Sequence, residues 1–111
     1  MMLNGLTLVN LTQHTITLVV EGETIVVQPT GIEVRVSQEV VPTEVTGLYR
    51  TTLGTVENMP EPVEGTLYIV SSMVLSALRD VRSDVYAPLT APGWAIRNDA
   101  GQIIAVPGLV R

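Results

Sequence analysis

Residues 66–88, TLYIVSSMVLSALRDVRSDVYAP, carry the local signals that decide the fold of this 111-residue chain. The apolar run 66–70 has the length and composition of a buried strand, and Ser71 after it is a typical helix N-cap. Within residues 73–79 the large apolar side chains recur at helical spacing, which predicts one short amphipathic helix. Residues 85–88 form a further strand-like run that ends at a proline. The order strand, helix, strand allows a local crossover with parallel pairing of the two strands, although the helix is short for such a crossover. We expect the rest of the sheet to be antiparallel.

Hairpins are predicted on both sides of this segment. Residues 15–20 and 23–27 are apolar, β-branched runs, and the Glu-Gly pair between them is typical of a tight hairpin tip. A shorter run at 6–9 predicts a strand before this hairpin. Near the end of the chain, residues 94–97 and 102–106 are strand-like and enclose the turn Asn-Asp-Ala-Gly. Asn and Asp bond their own backbone in such turns, and glycine adopts the positive φ that closes them.

The stretch between the first hairpin and the central segment has a mixed pattern. Apolar and polar residues alternate over 32–37, which predicts a half-buried strand with Arg35 on its exposed side. Short strands are also predicted at 40–42 and 49–53, before an irregular Pro-Glu-Pro loop. Val, Ile and Thr make up 38 of the 111 residues and lysine is absent, so strand dominates the prediction. We expect a single α+β domain over residues 1–111, mostly β, built as a twisted antiparallel sheet or small barrel with one short helix.

Composition excludes several classes of function. Hydrophobic residues make up 46% of the chain and charged residues 15%, with a mean hydropathy of +0.38, so the chain should fold. The net charge of −5 repels phosphate backbones and anionic lipid, which argues against duplex nucleic acid and a membrane as partners. Cysteine is absent and His14 is the single histidine, which excludes thiolate chemistry and two-histidine catalysis. We therefore expect no cofactor and no metal. We also expect a cytoplasmic location, because neither a secretory signal nor an apolar segment of membrane length is evident.

All basic residues of the chain are arginines. They are Arg35, Arg50, Arg79, Arg82, Arg97 and Arg111. Arginine binds carboxylate and phosphate through a planar, bidentate fork, whereas lysine serves solubility equally well. Exclusive use of arginine is consistent with anion recognition, but compositional bias is the stronger interpretation, since surface arginines mostly form weak ion pairs.

Two polar segments are candidates for a site. Residues 10–14, NLTQH, place an imidazole, a hydroxyl and amides in one short connection, a set suited to a sugar hydroxyl, a base edge or a phosphate oxygen. The simpler interpretation is a turn in which Asn10 and Thr12 bond the local backbone. Residues 79–84, RDVRSD, are most simply the solvated end of the helix. The sequence contains no glycine-rich phosphate loop and supports no catalytic triad.

These motifs resemble those of a family of small proteins found in phages, prophages and bacterial genomes. The family pattern runs from Asn-Leu-Thr-Pro-His through a Pro-Ser-Gly turn and an arginine to a Pro-Glu-Pro loop and Gly-Thr-Ile-Tyr-Ile-Val-Ser. It ends with Arg-x-Asp before a proline and an Arg-Asp-x-x-Gly hairpin. In this chain the corresponding residues are 10–14, 29–31, Arg35, 60–71, 82–88 and 97–101. Gln13 replaces the proline of the opening, and the resemblance, which covers most of the chain, implies no particular activity.

The first hypothesis for function is a non-enzymatic, homo-oligomeric protein that binds a small anionic, nucleotide-like ligand. Its basis is an apolar composition that implies covered faces, together with the exclusive use of arginine. Small viral proteins that sequester nucleotide immune signals are similar in this broad sense, so the hypothesis includes an anti-defence role. The predicted ligand-binding residues are Asn10, Thr12, His14, Arg35, Arg82, Asp84 and Arg97. Two alternatives stay open: a phage structural or assembly protein without a pocket, and a phosphoester hydrolase that uses His14.

Overall fold

The computed structural model describes residues 1–111 and contains eleven strands and one helix. In chain order the elements are β1 (Met2–Leu3), β2 (Leu6–Asn10), β3 (Ile16–Val20), β4 (Glu23–Val27), β5 (Arg35–Pro42), β6 (Tyr49–Glu57), β7 (Thr66–Ile69), α1 (Ser72–Leu78), β8 (Val85–Pro88), β9 (Ile96–Arg97), β10 (Ile103–Ala105) and β11 (Leu109–Val110). Strands hold 46% of the residues and the helix 6%, so the prediction of a mostly β, α+β domain with one short helix is confirmed. The sheets curl into a half-barrel. No helix in the chain has the length and apolar character needed to cross a membrane.

A five-stranded mixed sheet, in the order β1-β2-β7-β8-β11, lies at the centre of the molecule. Its three middle strands are parallel, with Leu8 of β2 beside Leu67 of β7 and Tyr68 of β7 beside Val85 of β8. The edge strands β1 and β11 pair antiparallel. β7, α1 and β8 therefore form the crossover that residues 66–88 allowed. The expectation that all other pairs are antiparallel is wrong for β2 and β7, which lie far apart in the sequence and carry no local signal for their direction.

The helix begins where its predicted cap places it. The Oγ of Ser71 accepts a hydrogen bond from the backbone N of Val74 at 3.3 Å, which satisfies one of the free N–H groups of the first turn. Val74 and Leu75 are buried, and Leu78 packs against the same core cluster. The spacing of these three side chains is the amphipathic pattern that predicted the helix.

Both predicted hairpins are present. β3 and β4 pair without interruption, and their tip residues Glu21 and Gly22 have φ angles of 50° and 81°. Positive φ at both positions is the geometry of a type I′ turn, whose twist matches that of the paired strands. In the β9–β10 hairpin the Oδ1 of Asn98 accepts hydrogen bonds from the backbone N of Ala100 and of Gln102, each at 3.0 Å. The asparagine therefore organises this turn as its sequence predicts.

The side chains at the end of β7 alternate between two hydrophobic cores. Tyr68 and Val70 belong to the core that α1 covers, and Ile69 between them belongs to the core that the β3–β4 hairpin covers. The first core consists of Leu11, Tyr68, Val70, Val74, Leu75, Val85 and Ala87. The second consists of Leu8, Leu18, Ile25, Val27, Ile69 and Val106. β7, the central strand of the five-stranded sheet, is thus buried on both faces, as is usual for parallel strands.

β5 and β6 form a long hairpin, which we call the arm (residues 35–57), and it projects from the body of the protein. The predicted short strands at 40–42 and 49–53 are the outer parts of β5 and β6. Outside the hairpin, α1 is the main element that these strands contact. The radius of gyration is 16.1 Å and the longest dimension 53 Å, whereas a compact chain of this length has a radius of about 13 Å. The arm accounts for the elongated shape.

Candidate functional site

Asn10, the last residue of β2, is the one fully buried polar residue of the chain. Its Nδ2 donates hydrogen bonds to the backbone O of His14 at 2.7 Å and of Val27 at 2.9 Å. Its Oδ1 accepts from the backbone N of Thr12 at 2.9 Å and from the Thr12 hydroxyl at 2.6 Å. An amide group has two donor hydrogens and two acceptor lone pairs, so the side chain is saturated. Asn10 holds the turn at residues 11–14 against the end of β4.

Further hydrogen bonds close the same turn. Thr30 donates from its backbone N to the backbone O of Asn10 at 3.0 Å, and from its hydroxyl to the same atom at 3.2 Å. The Thr12 hydroxyl has one proton, which goes to Asn10, and its oxygen accepts from the backbone N of His14 at 3.4 Å. The interpretation of residues 10–14 as a turn that bonds its own backbone is confirmed. The turn is therefore rigid up to the backbone of His14.

The imidazole of His14 stands free at the end of this turn. It is exposed, and neither ring nitrogen makes a hydrogen bond or an ion pair within the chain. His14 lies between two open clefts. The first, which we call the His14 cleft, has a volume of about 250 Å³ and is lined by Leu11, Thr12, Gln13, His14, Glu33, Val34, Val70, Ser71 and Val74. The second, of about 300 Å³, is more apolar and lies between β3, β8 and β10.

The His14 cleft lies at the carboxyl ends of two parallel strands. Residues 11–14 follow β2, and Val70 and Ser71 follow β7. Ligands of parallel α/β sheets bind outside the carboxyl ends of the strands, where the connections diverge and leave a crevice. The position of the cleft in the fold is therefore one where ligand sites are common.

Glu33 is the charged acceptor of the cleft, and it was not among the predicted site residues. The Nη2 of Arg35 donates to its Oε2 at 2.8 Å, and the Nε2 of Gln13 donates to its Oε1 at 3.1 Å. The hydrogen bond from Arg35 and the charge of its guanidinium lower the pKa of Glu33, so the carboxylate is ionised at neutral pH. The strand predicted over 32–37 begins only at Arg35, and Glu33 lies in the segment before it. The spacing of two residues within the predicted alternation is the signal that could have paired Glu33 with Arg35. Gln13, which lies in the candidate segment 10–14, and Ser71, which was predicted only as the helix cap, complete the polar lining.

Arg82 and Asp84 form a pair away from this cleft. The Nε of Arg82 donates to Oδ1 of Asp84 and its Nη2 to Oδ2, both at 2.8 Å, and its Nη1 donates to the backbone O of Pro60 at 3.0 Å. The guanidinium also lies 5.8 Å from the centre of the Tyr68 ring. Because these hydrogen bonds favour both ionised forms, the pKa of Asp84 is lowered and that of Arg82 is raised. The pair fastens the loop before β7 to the start of β8.

The structure brings together only part of the predicted site. Thr12 and His14 line the His14 cleft, Asn10 supports it from beneath, and Arg35 is joined to it through Glu33. Arg82 and Asp84 line none of the clefts, and Arg97 donates to the backbone O of Gly101 at 2.7 Å within the β9–β10 hairpin. The arginines therefore do not converge on one anion site within a single chain.

The fold and the site define a small α+β protein with a rigid histidine-bearing turn beside an open cleft. No group of three His, Asp or Glu side chains comes together in a way that could hold a metal ion. We find no match for this chain among protein-family models, curated proteins or solved structures. The chemistry of the cleft is therefore the basis on which a function can be inferred.

Proposed function

We propose that this protein is a non-enzymatic, homo-oligomeric binder that sequesters a small nucleotide-like ligand in the His14 cleft. One observation carries the proposal: a fully hydrogen-bonded turn displays an imidazole that has no partner within the chain. The saturated Asn10 side chain holds the backbone of that turn, yet the ring it presents is left free at a cleft. A ligand that hydrogen-bonds to this ring finds a preorganised site.

The lining suggests which parts of such a ligand contact apolar residues and which contact polar ones. Val34, which is partly exposed, offers an apolar contact for the face of a base, and the buried Val70 and Val74 lie beneath the cleft. The ionised Glu33 accepts hydrogen bonds from amino groups of a base or from sugar hydroxyls, and it repels phosphate. In this proposal the phosphate lies on the outer side, between His14 and the free guanidinium nitrogens of Arg35.

The same lining favours binding over catalysis. Glu33, held ionised by Arg35, is not a general acid at neutral pH, and Ser71 already accepts a hydrogen bond as the helix cap. The proposed biological role is that of a phage protein that captures a nucleotide immune signal in the host cytoplasm. This role follows from the motif resemblance and the proposed ligand, and retention of such a signal by the protein is its first requirement.

The proposal is tested by ligand retention. The purified protein is incubated with AMP, GMP, cyclic AMP, cyclic GMP and a cyclic dinucleotide, filtered from unbound compound and heat-denatured, and the released compounds are separated by chromatography. We expect one of them to be retained and released unchanged. Loss of a hydrogen bond to a charged group should weaken its binding by about ten- to hundred-fold in His14→Ala and in Arg35→Ala.

Matched controls separate the cleft from the rest of the surface. Arg97→Ala makes the same substitution as Arg35→Ala outside the cleft, and Thr24→Ala alters an exposed residue of β4; both should bind as the unaltered protein does. If the native chain returns a compound chemically altered and His14→Ala does not, the protein is the hydrolase of the alternative hypothesis and the binding proposal is wrong. If no compound is retained or altered, the proposal is wrong.

A structural or assembly protein is the second candidate, and the projecting arm favours it. Most arm residues are exposed, including large apolar ones, which is typical of a segment that contacts another chain. This candidate predicts assembly without retention of any nucleotide.

A further inference from the structure

The arm has two unlike faces. Residues directly opposite each other in an antiparallel pair point to the same side of the sheet, so Val40 lies beside Thr51, and Tyr49 beside Pro42, on one face. Leu53 and Gln38 share this face, which we call the apolar face of the arm. The opposite face carries Glu39 beside Thr52 and Arg50 beside Val41.

The apolar face begins inside the protein and ends outside it. At its base, Val36 and Val56 pack against the core that α1 covers. Farther out, Val40 and Tyr49 are 66% and 65% exposed, and Leu53 is 38% exposed. A two-stranded ribbon with an uncovered apolar face gains little stability from its own contacts in water, so a partner that covers this outer part stabilises the arm.

We infer that a second copy of this chain covers the apolar face, with the two arms packed face to face across a two-fold axis. This inference rests on the homo-oligomeric part of the proposed function and names the surface that forms the oligomer. Identical faces related by a two-fold axis are self-complementary. The chain carries a charge of −5 and repels its own copies, but the apolar face holds no charged residue, so association there meets the least repulsion.

The size of the surface suits a dimer. Val40, Pro42, Leu53 and Tyr49 are the large apolar residues of the face itself. Val45 and Leu48 are exposed in the turn that joins the two strands. Side chains of this kind bury about 100 Å² each when fully covered, or about 600 Å² together. With the polar residues between them, each arm approaches the roughly 800 Å² per partner of a stable interface.

The test is the mass of the protein in solution, with two variants that make the same change on opposite faces. Val40→Glu places a carboxylate on the apolar face, and Val41→Glu places one on the polar face, directly opposite Arg50. By sedimentation at about 10 μM we expect the native chain and Val41→Glu to have twice the chain mass of 11.9 kDa. Val40→Glu should sediment as a monomer, with circular dichroism spectra that match the native chain.

The outcomes distinguish this inference from the binding proposal. A native chain that is monomeric up to 100 μM, which is about ten times the assay concentration, overturns the inference even if nucleotide is retained. A dimer that survives Val40→Glu overturns it as well, since the interface must then lie elsewhere. Dimers that only Val40→Glu dissociates support it, whether or not a nucleotide is retained.

Discussion

Replacing Asn10 by alanine should be among the most destabilising single changes in the chain outside the hydrophobic cores. The substitution removes four side-chain hydrogen bonds and leaves the buried backbone O of Val27 without its partner. An unsatisfied buried group costs about 1–3 kcal/mol. The other three bonds are partly accessible to water, and each loss costs about 0.5–1.5 kcal/mol. We therefore expect a loss of about 3–7 kcal/mol in the free energy of unfolding, against a total of about 5–15 kcal/mol for an ordinary domain.

Asn98→Ala is the matched control, because it removes a similar number of hydrogen bonds at an exposed position. The Asn98 side chain bonds the backbone of Ala100 and the backbone and side chain of Gln102 in the β9–β10 turn. Water replaces these bonds, so we expect a loss of about 1 kcal/mol. Urea denaturation followed by far-ultraviolet circular dichroism measures both variants. If Asn10→Ala is no more destabilising than Asn98→Ala, burial of the Asn10 amide does not organise the turn, and the reasoning fails.

Three further predictions concern contacts that stabilise the fold. The pKa of Asp84 is lowered by Arg82, so the pair stabilises the fold above the unfolded pKa of about 3.8 and loses this contribution as pH falls through the folded value. A double-mutant cycle with Arg82→Ala and Asp84→Ala should give a coupling free energy of about 1.5–3 kcal/mol at pH 7. At pH 2 the coupling free energy should be small. Equal values at the two pH values would contradict this prediction. Ser71→Ala should cost about 0.5–2 kcal/mol through loss of the helix cap, whereas Ser76→Ala in the helix interior should cost nothing; equal effects in thermal unfolding would disprove the cap. Ile69→Ala removes a fully buried side chain from the middle strand and should cost about 2–5 kcal/mol in urea denaturation, and a loss below that range would mean that the second core repacks.

Local signals in the sequence predicted the elements that local interactions build. The helix follows from Ser71 and the apolar spacing after it, and the β3–β4 turn follows from a Glu-Gly pair between β-branched runs. The edge strands β1 and β11, of two residues each, were not predicted. Such short strands exist only because a neighbouring strand offers backbone partners, and no residue pattern of their own marks them.

The candidate site was predictable in one half and not in the other. Residues 10–14 form the predicted turn and present His14, because Asn and Thr bond the backbone within a few residues of themselves. The expected convergence of Arg82 and Arg97 with His14 required contacts between distant parts of the chain. Instead, Arg82 pairs with Asp84 two residues away, and Arg97 bonds the turn of its own hairpin. These partners lie nearby in the sequence, where closing the contact costs little chain entropy. Arg82 makes one more distant bond, to the backbone O of Pro60, which also leads away from His14.

The sequence by itself determined that this chain is a mostly β domain with one capped helix, two tight hairpins and a histidine-bearing turn. Each of these features depends on interactions over a few residues, which composition and spacing record directly. Only the tertiary structure decided that β2 lies parallel to β7, that Glu33 joins His14 in one cleft, and that the arm leaves the body with an uncovered apolar face. These outcomes depend on which of many distant pairings buries the most apolar surface with all polar groups satisfied, and that balance is a property of the whole chain.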